Sequence, residues 1–108
     1  TDDMREAPAI RIVERLLELG AVVRAYDPEA MDTARRIFGD RITYCDRSYD
    51  ALAGADALAV VTEWNEFREP DFQKMKQLLK SPVVFDGRNI YSTEQMHALG
   101  FEYFPIGR

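Results

Sequence analysis

Ala57-Leu58-Ala59-Val60-Val61 is a nearly continuous apolar run, and Thr62-Glu63-Trp64-Asn65-Glu66-Phe67 follows it. The run is far too short to span a bilayer and lacks the polar alternation of a strand with one wet face. It predicts a strand covered on both faces, as in the interior of a parallel sheet. Parallel neighbours must be joined by crossovers, usually helices, so helical segments should flank the run on either side.

They do. Downstream, Pro70 and Asp71 open a predicted helix to about Leu79, with Phe72, Met75, Leu78 and Leu79 on its inner side. Val83-Val84-Phe85 is the next strand, ending at Asp86-Gly87-Arg88. Thr93 then caps a helix through Leu99, and residues 101–104 form a last strand. Upstream, residues 48–52 read as a short helix and Ile42-Thr43-Tyr44-Cys45 as a strand. Before those lie a helix over residues 30–38, closed by Gly39, and a strand over residues 21–26 ending at Asp27-Pro28. The firmest helix comes first: Ala9, Ile12, Val13, Leu16 and Leu17 share one face, Pro8 suits the first turn, and Gly20 suits the stop.

This alternation predicts an α/β fold, a three-layer, Rossmann-like, doubly wound and mostly parallel sheet, over a single domain spanning residues 1–108. In such a sheet the first helix should be a crossover between two strands. The strand before it is therefore expected upstream of Thr1, and in a Rossmann order it is the central one. The absence of an initial Met agrees with an internal piece of a longer chain as well as it agrees with processing.

Composition narrows the function. With 46% apolar and 31% charged residues, the chain reads as a globular protein rather than a disordered one. A net charge of −5 argues against a nucleic-acid surface, which needs clustered cations. Neither a secretory leader nor a membrane span is expected, and a lone cysteine, Cys45, leaves no internal disulfide or cysteine-rich zinc site. One His and one Cys supply no metal cluster and no nucleophile–base pair, so no catalytic residue is assigned in this chain. Cys45 has only Arg47 as a basic neighbour in sequence, and His97 reads as a surface residue.

Ligands of open α/β sheets bind at the carboxyl ends of the strands. Arg88, two residues past a buried strand, is either a fixed cation for phosphate or carboxylate oxygens or an ordinary turn arginine paired to an acid. Arg5 stands beside Asp2 and Asp3 before a helix start, and it is either an anion clamp or part of a solvated charge run. Asp27 occupies the place of a ribose-binding acid, but without a preceding Gly-x-Gly-x-x-Gly it reads as a helix cap. Trp64 and Phe67 read as packing groups.

Four segments together resemble the carboxy-terminal domain of the UDP-glucose/GDP-mannose dehydrogenase family, over essentially the whole chain. They are residues 1–8 (Thr-Asp-Asp-Met-Arg-Glu-Ala-Pro), the 62–67 stretch, Asp86-Gly87-Arg88-Asn89-Ile90-Tyr91, and residues 103–108 (Tyr-Phe-Pro-Ile-Gly-Arg). The resemblance implies oxidation of a sugar C6 alcohol to a carboxylate with two NAD⁺ per turnover. NAD and the catalytic cysteine would belong mainly to an amino-terminal domain outside this chain, in a cytoplasmic homodimer. It further implies that Arg88 contacts the UDP-sugar and Arg5 reaches NAD, while Cys45 matches no catalytic cysteine and the isolated chain is inactive. The 62–67 stretch is more similar to members acting on UDP-glucose. Members acting on UDP-N-acetylmannosamine or GDP-mannose are the alternative, as is a stand-alone Rossmann-like nucleotide-binding or regulatory module.

Overall fold

Helices and strands alternate along the chain, as the apolar pattern requires. The structure is a computed structural model that describes residues 2–62 and 65–106, apart from the side chains of residues 2–7 and 65. In order, the elements are α1 (Asp2–Glu18), β1 (Arg24–Ala25), α2 (Met31–Phe38), β2 (Thr43–Tyr44), α3 (Ser48–Leu52), β3 (Leu58–Val60), α4 (Phe72–Leu78), β4 (Val83–Asp86), α5 (Thr93–Ala98) and β5 (Glu102–Pro105). Single 3-10 turns occupy Gly39–Arg41 and Asn65–Phe67. Every described ladder is parallel, in the Rossmann-like α/β manner. The chain divides into two compact units at residues 51 and 52.

In the first unit, β1 pairs with β2, Arg24 opposite Thr43 and Ala25 opposite Tyr44. The α2 helix stops at Gly39, whose φ of 58° and ψ of −128° are open essentially to glycine alone. The 3-10 turn that follows delivers Ile42 into the interior, where it is as buried as Phe38, both 6% exposed. Tyr44 reaches back from β2 and donates its hydroxyl to the Gly39 carbonyl at 2.7 Å. Arg41 grips Glu14 of α1 with both arms of its fork, at 2.8 and 3.2 Å. Helix α1 begins at Asp2, not at Pro8 as expected, so the proline lies inside it. The sequence favours the early start, since Asp2, Asp3 and Glu6 put acids at the positive end of the helix.

The second unit holds the sheet β3-β4-β5. Its register places Leu58, Val84 and Tyr103 in one row and Val60, Asp86 and Pro105 in another. Val60, Val84 and Tyr103 are buried, as are Met75 of α4 and Met96 of α5. The intervening row, Ala59, Phe85 and Phe104, points to the opposite face and is exposed. There Phe85 and Phe104 stack with ring centroids 5.1 Å apart. The expectation that β3 is covered on both faces is thus not met at Ala59. Because both faces carry apolar residues, the period of two is invisible in the sequence.

Two caps fix the helices behind this sheet. Asp71 accepts the Lys74 N–H at 3.0 Å and starts α4. Ser92, in an extended conformation, accepts from Gln95 and starts α5, one residue earlier than the Thr93 cap expected. Lys76 of α4 donates to the Leu99 carbonyl at the end of α5 at 2.8 Å, joining the two helices.

Met96 is fully buried, with 0% exposure. Met96→Ala should therefore lower the unfolding free energy by about 2–5 kcal/mol through lost burial and the cavity left behind. A urea titration followed by circular dichroism checks this, and an unchanged midpoint would contradict the packing described.

Candidate functional site

The end of β4 is organised around one carboxylate. Asp86 has 0% exposure and is the buried charged residue among those described. Its Oδ1 accepts the Arg88 N–H at 2.9 Å. Its Oδ2 accepts the N–H groups of Ile90 at 2.9 Å and Tyr91 at 3.0 Å. The same oxygen receives the Tyr103 hydroxyl from β5 at 2.6 Å. That hydroxyl also lies 3.0 Å from the Tyr91 carbonyl, but it has one proton, and the shorter contact to a charged acceptor takes it. A buried carboxylate would be costly alone; four donors converging on it make the arrangement stable.

The backbone between these bonds is built for the turn. Gly87 donates its N–H to the Val60 carbonyl of β3 at 2.8 Å, and a Cβ here would stand only 3.2 Å from that oxygen. Asn89 adopts φ = 57°, a left-handed conformation that asparagine tolerates better than most residues. On the far side, Ile106 donates to the Asp86 carbonyl at 2.8 Å, extending the β4–β5 ladder. Arg88 sits between these fixed points, half-buried, with its Nε out of contact with solvent.

A second loop is tied to the first. Tyr91, 6% exposed, donates its hydroxyl to the carbonyl of Phe67, in the 3-10 turn after β3. Its ring packs edge-on against Phe72 at 5.5 Å and Tyr103 at 6.4 Å. Phe67 is therefore held through its backbone carbonyl. Glu63 and Trp64 of the same loop lie outside the described residues.

The other candidates fall as follows. Asp27 Oδ1 accepts the N–H groups of Glu29 at 2.9 Å and Ala30 at 3.0 Å, so it caps the turn into α2. Arg5 lies on α1 of the first unit, and its side chain is outside the described residues. His97 is exposed on α5. Cys45 follows β2, where burial pushes its thiol pKa up; Arg24 opposes the shift, and Asp50 and Asp46 add to it. The cation near Cys45 is thus Arg24, brought close by β1–β2 pairing, and not the sequence neighbour Arg47. Among the described residues no group of three His, Cys, Asp or Glu side chains could hold a metal ion, and no helix is long and apolar enough to cross a membrane.

Sequence reasoning singled out Arg88 but missed the roles of Asp86, Tyr91 and Tyr103. Its one available signal was the tyrosine at Tyr103, in register with Val84 on the buried face of a strand, where a hydroxyl needs a partner.

Comparison with known proteins points one way. Residues 1–93 match the UDP-glucose/GDP-mannose dehydrogenase family, UDP binding domain. The UDP-glucose 6-dehydrogenase of Rhizobium meliloti is 46% identical over the whole of this chain, and UDP-glucose 6-dehydrogenase TuaD of Bacillus subtilis is 45% identical over the same extent. The chain spans 24% and 23% of their lengths. Among solved structures, the UDP-D-ManNAc dehydrogenase of Pyrococcus horikoshii superposes with a TM-score of 0.57 at 18% identity, over 99% of this chain and 31% of that one. The NDP-N-acetyl-D-galactosaminuronic acid dehydrogenase of Methanosarcina mazei gives 0.58 at 19% identity, over 99% and 30%.

The raised thiol pKa keeps Cys45 protonated at neutral pH, where only the thiolate is nucleophilic. Alkylation by iodoacetamide at pH 7.5 should run several-fold slower in the folded chain than in urea. An equal rate in the folded chain would contradict the raised pKa, and a faster one would show an activated cysteine.

Proposed function

The chain belongs to the UDP-glucose/GDP-mannose dehydrogenase family, and from that premise we propose that it is the carboxy-terminal, UDP-sugar-binding domain of an NAD-dependent UDP-glucose 6-dehydrogenase. The parent chain carries an amino-terminal dehydrogenase domain with the catalytic cysteine and most of the NAD contacts, and works as a cytoplasmic homodimer. The shares of 24% and 23% of the relatives' lengths support a longer parent.

One observation carries the binding role: Arg88 stands at the carboxyl end of β4, the middle strand of the β3-β4-β5 sheet, on a backbone fixed on both sides. That is where open α/β sheets bind ligands. A guanidinium there suits the diphosphate of a UDP-sugar, offering two parallel N–H donors and a charge that stays on at any physiological pH. It is a local attraction in a chain whose net charge is −5. Preference for UDP-glucose rests on the 46% and 45% identity to UDP-glucose 6-dehydrogenases.

The chain performs no covalent step in this reading. When bound, NAD⁺ would supply the hydride acceptor for the parent enzyme, whose overall reaction takes the C6 alcohol, one water and two NAD⁺ to a carboxylate, two NADH and three protons. Arg88 holds the substrate for that oxidation, and Arg5 is assigned to NAD. The isolated domain is inactive.

In the full-length enzyme, Arg88→Ala should raise the KM for UDP-glucose roughly 10- to 100-fold, the loss of one or two charge-assisted hydrogen bonds. Steady-state kinetics at saturating NAD⁺ measures it. An unaltered KM would remove Arg88 from the substrate site.

A further inference from the structure

We propose that Asp86 is the positioning residue for Arg88, with Tyr103 supporting it from β5, so that the arginine's aim is set before substrate arrives. The inference deepens the UDP-sugar reading and rests on it.

Asp86 touches no solvent, so it is not itself a ligand contact in this state. Instead the loop wraps around its carboxylate much as backbone N–H groups wrap a bound anion. Arg88 is held through its own N–H, and the two residues that close the loop, Ile90 and Tyr91, are held on the other oxygen. Gly87, the residue between Asp86 and Arg88, is tied to β3 through Val60. The Tyr103 hydroxyl reaches the same carboxylate from β5, and Tyr91 hands the constraint to Phe67 in the loop after β3. The turn after β4 and Tyr103 of β5 therefore meet on one carboxylate, and the end of β3 is tied to the same turn through Gly87 and Tyr91.

A tight turn alone does not need this. Gly87 and one accepted N–H would close it, whereas a buried carboxylate fixes three peptide planes of the loop and one side chain of β5. The chemistry also specifies a carboxylate. An amide of the same shape has one acceptor oxygen and would turn a donor NH₂ toward either the Arg88 N–H or the cluster of three donors. Fixing the arginine in advance removes ordering cost from binding, so the loss should appear in substrate affinity.

The test is a double-mutant cycle in the full-length dehydrogenase, with Tyr103→Phe, Asp86→Asn and Arg88→Ala, read as KM and kcat for UDP-glucose. Tyr103→Phe keeps the ring and removes one hydrogen bond. It should raise KM about three- to tenfold with kcat within about twofold, and Asp86→Asn should raise it further. In the Arg88→Ala background, Tyr103→Phe should change KM less than about twofold, because nothing remains to aim. If Asp86→Asn fails to fold, Tyr103→Phe decides alone. A silent Tyr103→Phe, or one with the same effect whether or not Arg88 is present, overturns the positioning role while leaving Arg88 as a substrate contact. If Arg88→Ala leaves KM unchanged, the binding reading falls and the positioning role with it.

Discussion

A carboxylate shut away from water must be surrounded by donors or it does not stay charged and buried. At Asp86 the surroundings are supplied by three peptide N–H groups and one tyrosine hydroxyl. Hydrogen bonds to a charged group are worth about 1.5–3 kcal/mol each net of desolvation, so losing one of them would be felt. The geometry of the loop after β4 follows from that requirement. Three amides must point at one spot, so the chain has to fold back within five residues, and Gly87 and the left-handed Asn89 permit it. Tyr103 must reach the same spot, and the parallel β4–β5 register, with Val84 opposite Tyr103, brings it there.

The same constraint explains how a short sheet holds a defined loop. The β3 strand has three residues and β4 and β5 have four each, little ladder on which to hang a rigid site. Further bonds extend the order beyond the strands: the backbone N–H groups of Gly87 and Ile106 donate to the carbonyls of Val60 and Asp86, and the Tyr91 hydroxyl donates to the Phe67 carbonyl. Behind them, Met75, Met96 and Val84 close the core, and Lys76 binds α4 to the end of α5. The first unit is made differently. Its two-residue strands are supplemented by local anchors such as Tyr44 on Gly39 and the Arg41–Glu14 fork.

Most of the architecture was legible because it is written in local periodicity. Helix α3 falls on residues 48–52 as expected, α2 ends at the glycine that was expected to end it, and all five strands lie within or one residue beyond the stretches assigned. Asp27 reads as a helix cap from sequence; its carboxylate instead caps the turn ahead of α2, whose own N-cap is Ala30 without a side-chain bond. What escaped the sequence was non-local or degenerate. Tyr103 and Asp86 are 17 residues apart, and only pairing of β4 with β5 unites them. Arg24 approaches Cys45 only because β1 lies beside β2. Ser92 and Thr93 are both good caps in adjacent positions, and propensity does not choose between them. Arg88 was visible as a cation after a strand; the carboxylate that holds its backbone was visible only as the strand's last letter.

The peptide groups of Arg88, Ile90 and Tyr91 lie outside every ladder, yet each N–H is spent on a carboxylate with no access to water. Amide exchange requires that such a bond open and that solvent reach it. In deuterated buffer these three amides belong with the slow class formed by the β-sheet interior, not with the fast class typical of connecting segments. The boundary between frame and loop, drawn by kinetics instead of by shape, would then fall after Tyr91.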